Sequence, residues 1–209
     1  MKNFVQIINE GFYDPGIFKA FFLAGGPGSG KTFVTNQAFA GSGLKVVNSD
    51  IVFEKALKSA NLSLSMPDEE AYFRDIVRKS SKTTTGNQLD SYVKGRLGLV
   101  IDATGRDYNL IHTQSSMLKL LGYDCSMVFV NTSLEVALER QKKRERQVPE
   151  YIAKKSWESV QSNMGRFQNL FGLSNFVLVD NNKSDQELVT LTLNKVSKVV
   201  RRLINTPIK

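Results

Sequence analysis

One cysteine, one histidine and one tryptophan are all that 209 residues contain. A lone Cys125 excludes an intramolecular disulfide, and without Cys/His pairs a structural zinc site has no ligand set. Cys125 stands in Tyr123-Asp124-Cys125-Ser126-Met127, ahead of an apolar run, which reads as a small core residue rather than a reactive thiol. His112 lies mid-helix between Ile111 and Thr113, a surface or packing position. Long hydrophobic runs are also missing. Nothing approaches the ~18 apolar residues that a membrane span needs. The stretch Met1–Glu10 has neither a long apolar core nor a small-residue cleavage site, so no secretion signal is predicted and a cytoplasmic location fits. Five prolines leave room for long regular elements. No repeat or low-complexity segment occurs. Acidic residues are outnumbered, 20 against 28 basic, for a net charge of +8. That balance points weakly to polyanionic partners: nucleotides, nucleic acid or phosphorylated small molecules.

What the chain does have is Gly25-Gly26-Pro27-Gly28-Ser29-Gly30-Lys31-Thr32, set between the apolar run Ala20–Ala24 and a helical pattern from Phe33. Glycine, four residues, then Gly-Lys-Thr is the P-loop spacing in its strand–loop–helix context. Glycines let the backbone curl so that successive N–H groups face phosphate oxygens. The helix opening near Lys31 adds the positive end of its dipole. Lys31 can reach the β- and γ-phosphates, and the Thr32 hydroxyl can ligate Mg²⁺. ATP or GTP, with Mg²⁺, is therefore the expected ligand, with Gly26, Pro27, Gly28, Ser29, Gly30, Lys31 and Thr32 forming the nucleotide cradle.

Five short apolar stretches alternate with helical patterns: 17–24, 44–48, 99–102, 125–130 and 176–179. This predicts an α/β, three-layer P-loop fold with a five-stranded parallel sheet covered on both faces. Helices are expected over 33–40, 51–62, 68–79, 88–96, 108–121, 134–143, 150–167 and 185–204, with a short helix or arm at 3–10 and a polar connection at 80–85. A single domain spans 1–209. Its acceptor-side helical insertion covers about 51–98 and its helical lid about 140–167.

Ligands of such sheets bind at the carboxyl ends of the strands. Asp50, after the second strand, can take a proton from an attacking hydroxyl, or cap the helix from Ile51. Asp102 ends the third strand in the manner of a Walker B acid that holds Mg²⁺, or it serves the Ala103-Thr104-Gly105 turn. Thr104 and Arg106 then face the cleft as donors to substrate or phosphate. Arg144 and Arg146 belong to the strongest charge cluster, Arg140–Arg146, which ends at Val148-Pro149. Placed at a hinge, they can close over a triphosphate. Trp157 and Phe167 read as core or lid packing.

These pieces resemble the small P-loop kinases of the zeta-toxin and polynucleotide-kinase type, within the nucleoside-monophosphate-kinase-like group. The matching motifs are the P-loop, Asn48-Ser49-Asp50, Val100–Gly105 and Arg144–Pro149, in family order across about residues 17–182. The resemblance implies that Asp50 is the catalytic base, that Arg144 and Arg146 contact ATP phosphates, and that Asn181 and Asn182 lie near adenine. The opening residues 8–20 also resemble bacteriophage P-loop proteins. In one place the chain departs from the family. Where polynucleotide kinases and many zeta-type toxins carry an arginine three residues after the base, this chain has Phe53. Arg74, Arg78, Lys79, Lys82 and Arg96 lie in the segment where a substitute would sit.

The expected activity is transfer of the γ-phosphoryl of ATP to a hydroxyl of a nucleotide, a polynucleotide 5′ end or a nucleotide sugar. The alternatives are a nucleoside-monophosphate kinase, and a nucleotide-binding ATPase or switch with no small acceptor.

Overall fold

The first strand, β1 (Lys19–Ala24), is buried along its whole length, and its alternating side chains build two separate cores. Phe22 and its even-numbered neighbours join Leu99, Ile101, Met127, Phe129 and Phe167 on one face. Phe21 and Leu23 join Val34, Val128, Val179 and Val200 on the other. A strand packed on both faces reads as a continuous apolar run because neither face can be polar. Truncating Phe21 or Phe22 to alanine is expected to cost about 3–5 kcal/mol.

The computed structural model describes residues 14–65, 67–143, 148–182 and 186–207, with the backbone alone at 186–188. After β1 come α1 (Lys31–Ala38), β2 (Lys45–Val47), α2 (Ser49–Ser59), a 3₁₀ turn at Asp68–Glu70, α3 (Ala71–Lys94), β3 (Leu99–Asp102) and α4 (Tyr108–Leu120). Then follow β4 (Asp124–Asn131), α5 (Leu134–Lys142), α6 (Glu150–Phe171), β5 (Phe176–Asp180) and α7 (Gln186–Asn205). The sheet order is β2-β3-β1-β4-β5, and every pairing is parallel. Helices α4 and α6 cover one face, and α1 and α7 the other. The five-stranded parallel sheet and its two helical layers are as expected from sequence.

Chain order reverses around β1, which lies between β3 and β4. Ligands of doubly wound sheets bind at such a switch point, outside the carboxyl ends. Leu23 pairs with Asp102 and Ala24 with Phe129. The P-loop therefore leaves the sheet directly beside the end of β3.

Two local expectations are corrected. The polar stretch 80–85 is not a connection: α3 runs unbroken for 24 residues. Within the helix Ser81 donates to the Val77 carbonyl and Thr85 to the Ser81 carbonyl, both at 2.8 Å. A serine or threonine hydroxyl that bonds to the carbonyl four residues back lets the helix continue, at a slight cost in stability. Residues 68–70 form a 3₁₀ turn before α3 rather than its first α-turn. In addition, α6 continues past 167 to Phe171, which is buried against Phe22. The expected helix or arm at 3–10 lies outside the described residues.

A buried charge marks the foot of β1. Lys19 is only 2% exposed. Its ammonium donates to Asp124 Oδ2 at 2.8 Å and to the Thr206 carbonyl at 2.6 Å. Cys125, next to Asp124, is buried, and burial pushes its thiol up to about 12.

Candidate active site

The loop after β1 is held from all sides. Gly30 caps α1 at φ 87°, a left-handed conformation that L side chains avoid. A Cβ at Gly30 would meet the Asn181 amide, and one at Gly28 (φ 80°) would overlap the Ala137 carbonyl. Lys31 opens α1 and donates to the carbonyls of Gly25 (2.5 Å) and Gly26 (3.4 Å), so its ammonium lies over the loop's first residues. Thr32 is exposed in the first turn of α1. The Ser29 hydroxyl is buried with no hydrogen-bond partner. The Ser29 carbonyl is fixed twice, by Asn181 Nδ2 at 2.7 Å and by the Thr132 hydroxyl at 3.2 Å.

Asn181 and Asn182, after β5, thus anchor the loop region. Asn182 accepts from the Ser133 N–H at 2.5 Å. Arg140 on α5 donates to the Asn181 carbonyl at 2.9 Å. Arg140 belongs to the charge cluster noted in the sequence, whereas Arg144 and Arg146 lie outside the described residues.

The two acids meet through a residue that the sequence did not single out. Asn48 is the N-cap of α2. Its Oδ1 accepts from the N–H of Asp50 (2.8 Å) and of Ile51 (3.3 Å), and its Nδ2 donates to Asp102 Oδ2 at 2.6 Å. The capping role considered for Asp50 therefore falls to Asn48, and Asp50 sits in the first turn of α2 beside the positive helix end. Its carboxylate pairs with Arg78 of α3 at 2.8 Å, and the Arg78 guanidinium lies 4.6 Å from the centre of the Phe53 ring. Asparagine before Ser-Asp at a helix start is a strong capping signal. The Arg78 contact comes from a helix 28 residues away and has no local signature.

Helix α6 braces the remaining loops. Trp157 Nε1 donates to the Thr132 carbonyl at 2.7 Å, and a Cβ at Gly26 would lie 3.4 Å from Trp157. One turn on, Gln161 reaches Asn131 at 2.9 Å. Asn163 donates to the carbonyls of Gly105 (3.1 Å) and Arg106 (3.0 Å). The loop Thr104-Gly105-Arg106 is thereby fixed, with Thr104 and Arg106 exposed. It also meets the P-loop directly, the Gly25 N–H donating to the Thr104 carbonyl at 3.0 Å.

A cavity of about 650 Å³ opens between the start of α3 and the end of α5. Asp68 and Arg74 line it on one side, and Leu138, Gln141, Pro149 and Tyr151 on the other. Gln141 is buried, and its Oε1 has no hydrogen-bond partner.

The profile of a protein family described as AAA domain matches residues 21–167, most of the chain and every loop named above except that of Asn181. The chain belongs to this AAA domain family. No curated protein matches it in sequence. Among solved structures, this AAA domain is similar to a chain of the AvrRxo1-ORF1:ORF2 complex with ATP, at 13% identity and TM-score 0.60, over 96% of this chain and 82% of that one. It is also similar to a shikimate kinase from Acinetobacter baumannii, at 17% identity and TM-score 0.52, over 91% and 96% of the two chains. A gluconokinase from Sinorhizobium meliloti matches at 17% identity and TM-score 0.51, over 90% and 96%. The shared feature is the P-loop kinase fold.

A triphosphate with Mg²⁺ suits this AAA domain's site. The left-handed glycines and the unpartnered Ser29 hydroxyl leave a polar cradle around Lys31. Among the described residues no three His, Cys, Asp or Glu cluster to hold a metal by themselves. Mg²⁺ does not need such a cage, because it keeps waters and substrate phosphates and takes only one or two protein oxygens. Among the described residues no helix is long and apolar enough to cross a membrane.

Proposed function

We propose that the protein is an ATP- and Mg²⁺-dependent phosphotransferase. It moves the γ-phosphoryl of ATP to a hydroxyl of a nucleotide, a polynucleotide 5′ end or a nucleotide sugar. The observation that carries the reading is the pair of carboxylates at neighbouring strand ends. Asp50 and Asp102 are tied through Asn48 on the side of the sheet where the P-loop emerges.

The roles divide by chemistry. Backbone N–H groups of Gly26–Thr32 and the Lys31 ammonium hold the β- and γ-phosphates. Thr32 and Asp102 hold Mg²⁺, which, when bound, offsets the phosphate charge. Asp50 takes the proton from the acceptor hydroxyl. Arg144 and Arg146, on the lid, stabilise charge on the transferring group, and Asn181 and Asn182 place the purine side. Thr104 and Arg106 offer donors to the acceptor. Motif order supports kinship with the zeta-toxin and polynucleotide-kinase type, and the likeness of residues 8–20 to bacteriophage P-loop proteins supports a bacteriophage source. The unpaired cysteine supports work in the cytoplasm.

The test is a screen of radiolabelled ATP against 5′-OH DNA and RNA, nucleoside monophosphates and nucleotide sugars. Asp50→Ala should keep ATP binding and lose transfer; equal transfer by that variant removes Asp50 from the mechanism. A nucleoside-monophosphate kinase is the second reading. It is favoured by Arg74 and Arg78, which α3 carries within the acceptor-side segment, and phosphorylation of a monophosphate at its phosphate would establish it.

A further inference from the structure

Phe53 is 4% exposed and sits three residues after Asp50, on the same face of α2. Arg78 reaches this spot from α3. Its guanidinium lies on the Phe53 ring at 4.6 Å and pairs with Asp50 Oδ1 at 2.8 Å. An arginine that merely solvates a helix surface has no reason to lie on a buried ring. Here the guanidinium carbon sits over an aromatic ring while Nη1 meets a carboxylate.

That division matters, because the five N–H donors of a guanidinium all point outward in its plane. Nη1 serves Asp50, and the remaining donors of the fork can serve a second anion. The side chains of Arg78 and Asp50 are 35% and 43% exposed, so both are reachable from solvent. Arg74, one turn earlier on the same face of α3, lines the cavity of about 650 Å³. Arg78, which pairs with Asp50, thus lies one helical turn from a residue that lines this cavity.

We infer that Arg78 is the acceptor-reading arginine of this chain: it holds Asp50 until an anionic group on the acceptor, a carboxylate or a phosphate, engages its edge. The inference rests on Asp50 being the proton acceptor. With Oδ1 engaged by Arg78, that oxygen is a weaker proton acceptor for an attacking water, and hydrolysis of ATP is slowed. When the acceptor's anion takes Arg78, that oxygen turns to the neighbouring hydroxyl. Phe53 keeps the guanidinium in place through the exchange. Arg78 is a positioning residue towards Asp50 and a specificity residue towards the acceptor.

Two measurements on the full chain test this. The first is ATP hydrolysis with no acceptor. Arg78→Gln should raise it about two- to fivefold, the factor expected for releasing a partly exposed ion pair. Arg78→Lys, which keeps the charge without the planar guanidinium, should give a smaller rise. A purely structural role predicts loss rather than gain, so hydrolysis that is unchanged or lower in Arg78→Gln overturns the inference. The second compares phosphoryl transfer to matched acceptors, adenosine 3′-phosphate against adenosine and gluconate against glucose. The anionic member should be preferred, and Arg78→Gln should raise its KM about tenfold or more with a smaller change in kcat. Equal use of charged and neutral members by the unaltered protein overturns the inference. Raised hydrolysis in Arg78→Gln without transfer to any acceptor, these or those of the wider screen, supports the hold on Asp50 and removes phosphotransfer instead, so the two readings fail separately.

Discussion

Asn48 donates its amide N–H to Asp102 Oδ2 at 2.6 Å while its carbonyl oxygen caps α2, the helix that carries Asp50. One side chain therefore sets both the start of a helix and the orientation of an acid on the next strand. Asn48→Ala should destabilise the fold by about 1–2 kcal/mol through the lost cap. Asn48→Ser keeps a capping oxygen but is too short to reach Asp102. It should unfold in urea close to the unaltered protein while needing more Mg²⁺ for half-maximal ATP turnover. If Asn48→Ser matches the unaltered protein in Mg²⁺ titration, the bond to Asp102 does not serve the metal.

Two glycines separate backbone cost from collision. Gly43 has φ 74° with nothing within 4 Å of a Cβ, whereas Gly28 has φ 80° and a Cβ there would overlap the Ala137 carbonyl. Gly43→Ala should cost about 1–2 kcal/mol, the left-handed penalty alone. Gly28→Ala should cost more, and it should also abolish ATP binding because the loop must move off α5. Equal losses in chemical denaturation would show that the loop yields freely.

Trp157, the single tryptophan, packs on Gly26 and donates to the Thr132 carbonyl. Its fluorescence should change when ATP is added, since the loop it touches is the one expected to hold phosphate. Trp157→Phe keeps the ring but strands the Thr132 carbonyl, at a cost of about 1–3 kcal/mol. A flat fluorescence titration alongside ATP binding measured by calorimetry would contradict this.

Cys125 should resist alkylation at neutral pH until the protein unfolds, because burial pushes its thiol up to about 12. The sign of the linked effect follows. Unfolded, the thiol loses its proton near its ordinary value of 9.0; folded, it keeps it. Between these values the folded state binds more protons, so stability falls as pH rises above about 9. Burial also raises Tyr123, with the neighbouring Cys125 adding to it, and this acts in the same direction. Cys125→Ala should flatten the alkaline decline in urea unfolding.

The sheet was readable because each strand is a short apolar run bounded by turn residues, and because Gly30-Lys31-Thr32 fixes the register of the first crossover. Asp50 and Asp102 were readable as acids at strand ends. Asn48 carried a recognisable capping signal that was read as part of a motif rather than as a link. Arg78 could not be picked from among Arg74, Lys79 and Lys82, because its partner ring and carboxylate lie on another helix. The hydroxyls of 80–85 misled because serine and threonine look the same in a loop as when bonded back along a helix. Trp157, Gln161 and Asn163 brace loops remote in sequence, and nothing local to α6 announces that.

The ammonium of Lys19 at the foot of the central strand has consequences for how the chain comes together during synthesis. Translation delivers this lysine early and its second partner, the Thr206 carbonyl, 187 residues later. In the interval the strand that leads into the P-loop carries a charge whose burial is only half compensated, a costly state for a sheet interior. Nascent chains should therefore hold β1 loosely until the final helix is released and then close it in one late step. A ribosome-stalled chain ending before Thr206 would be cleaved by protease near Lys19, far from the missing end.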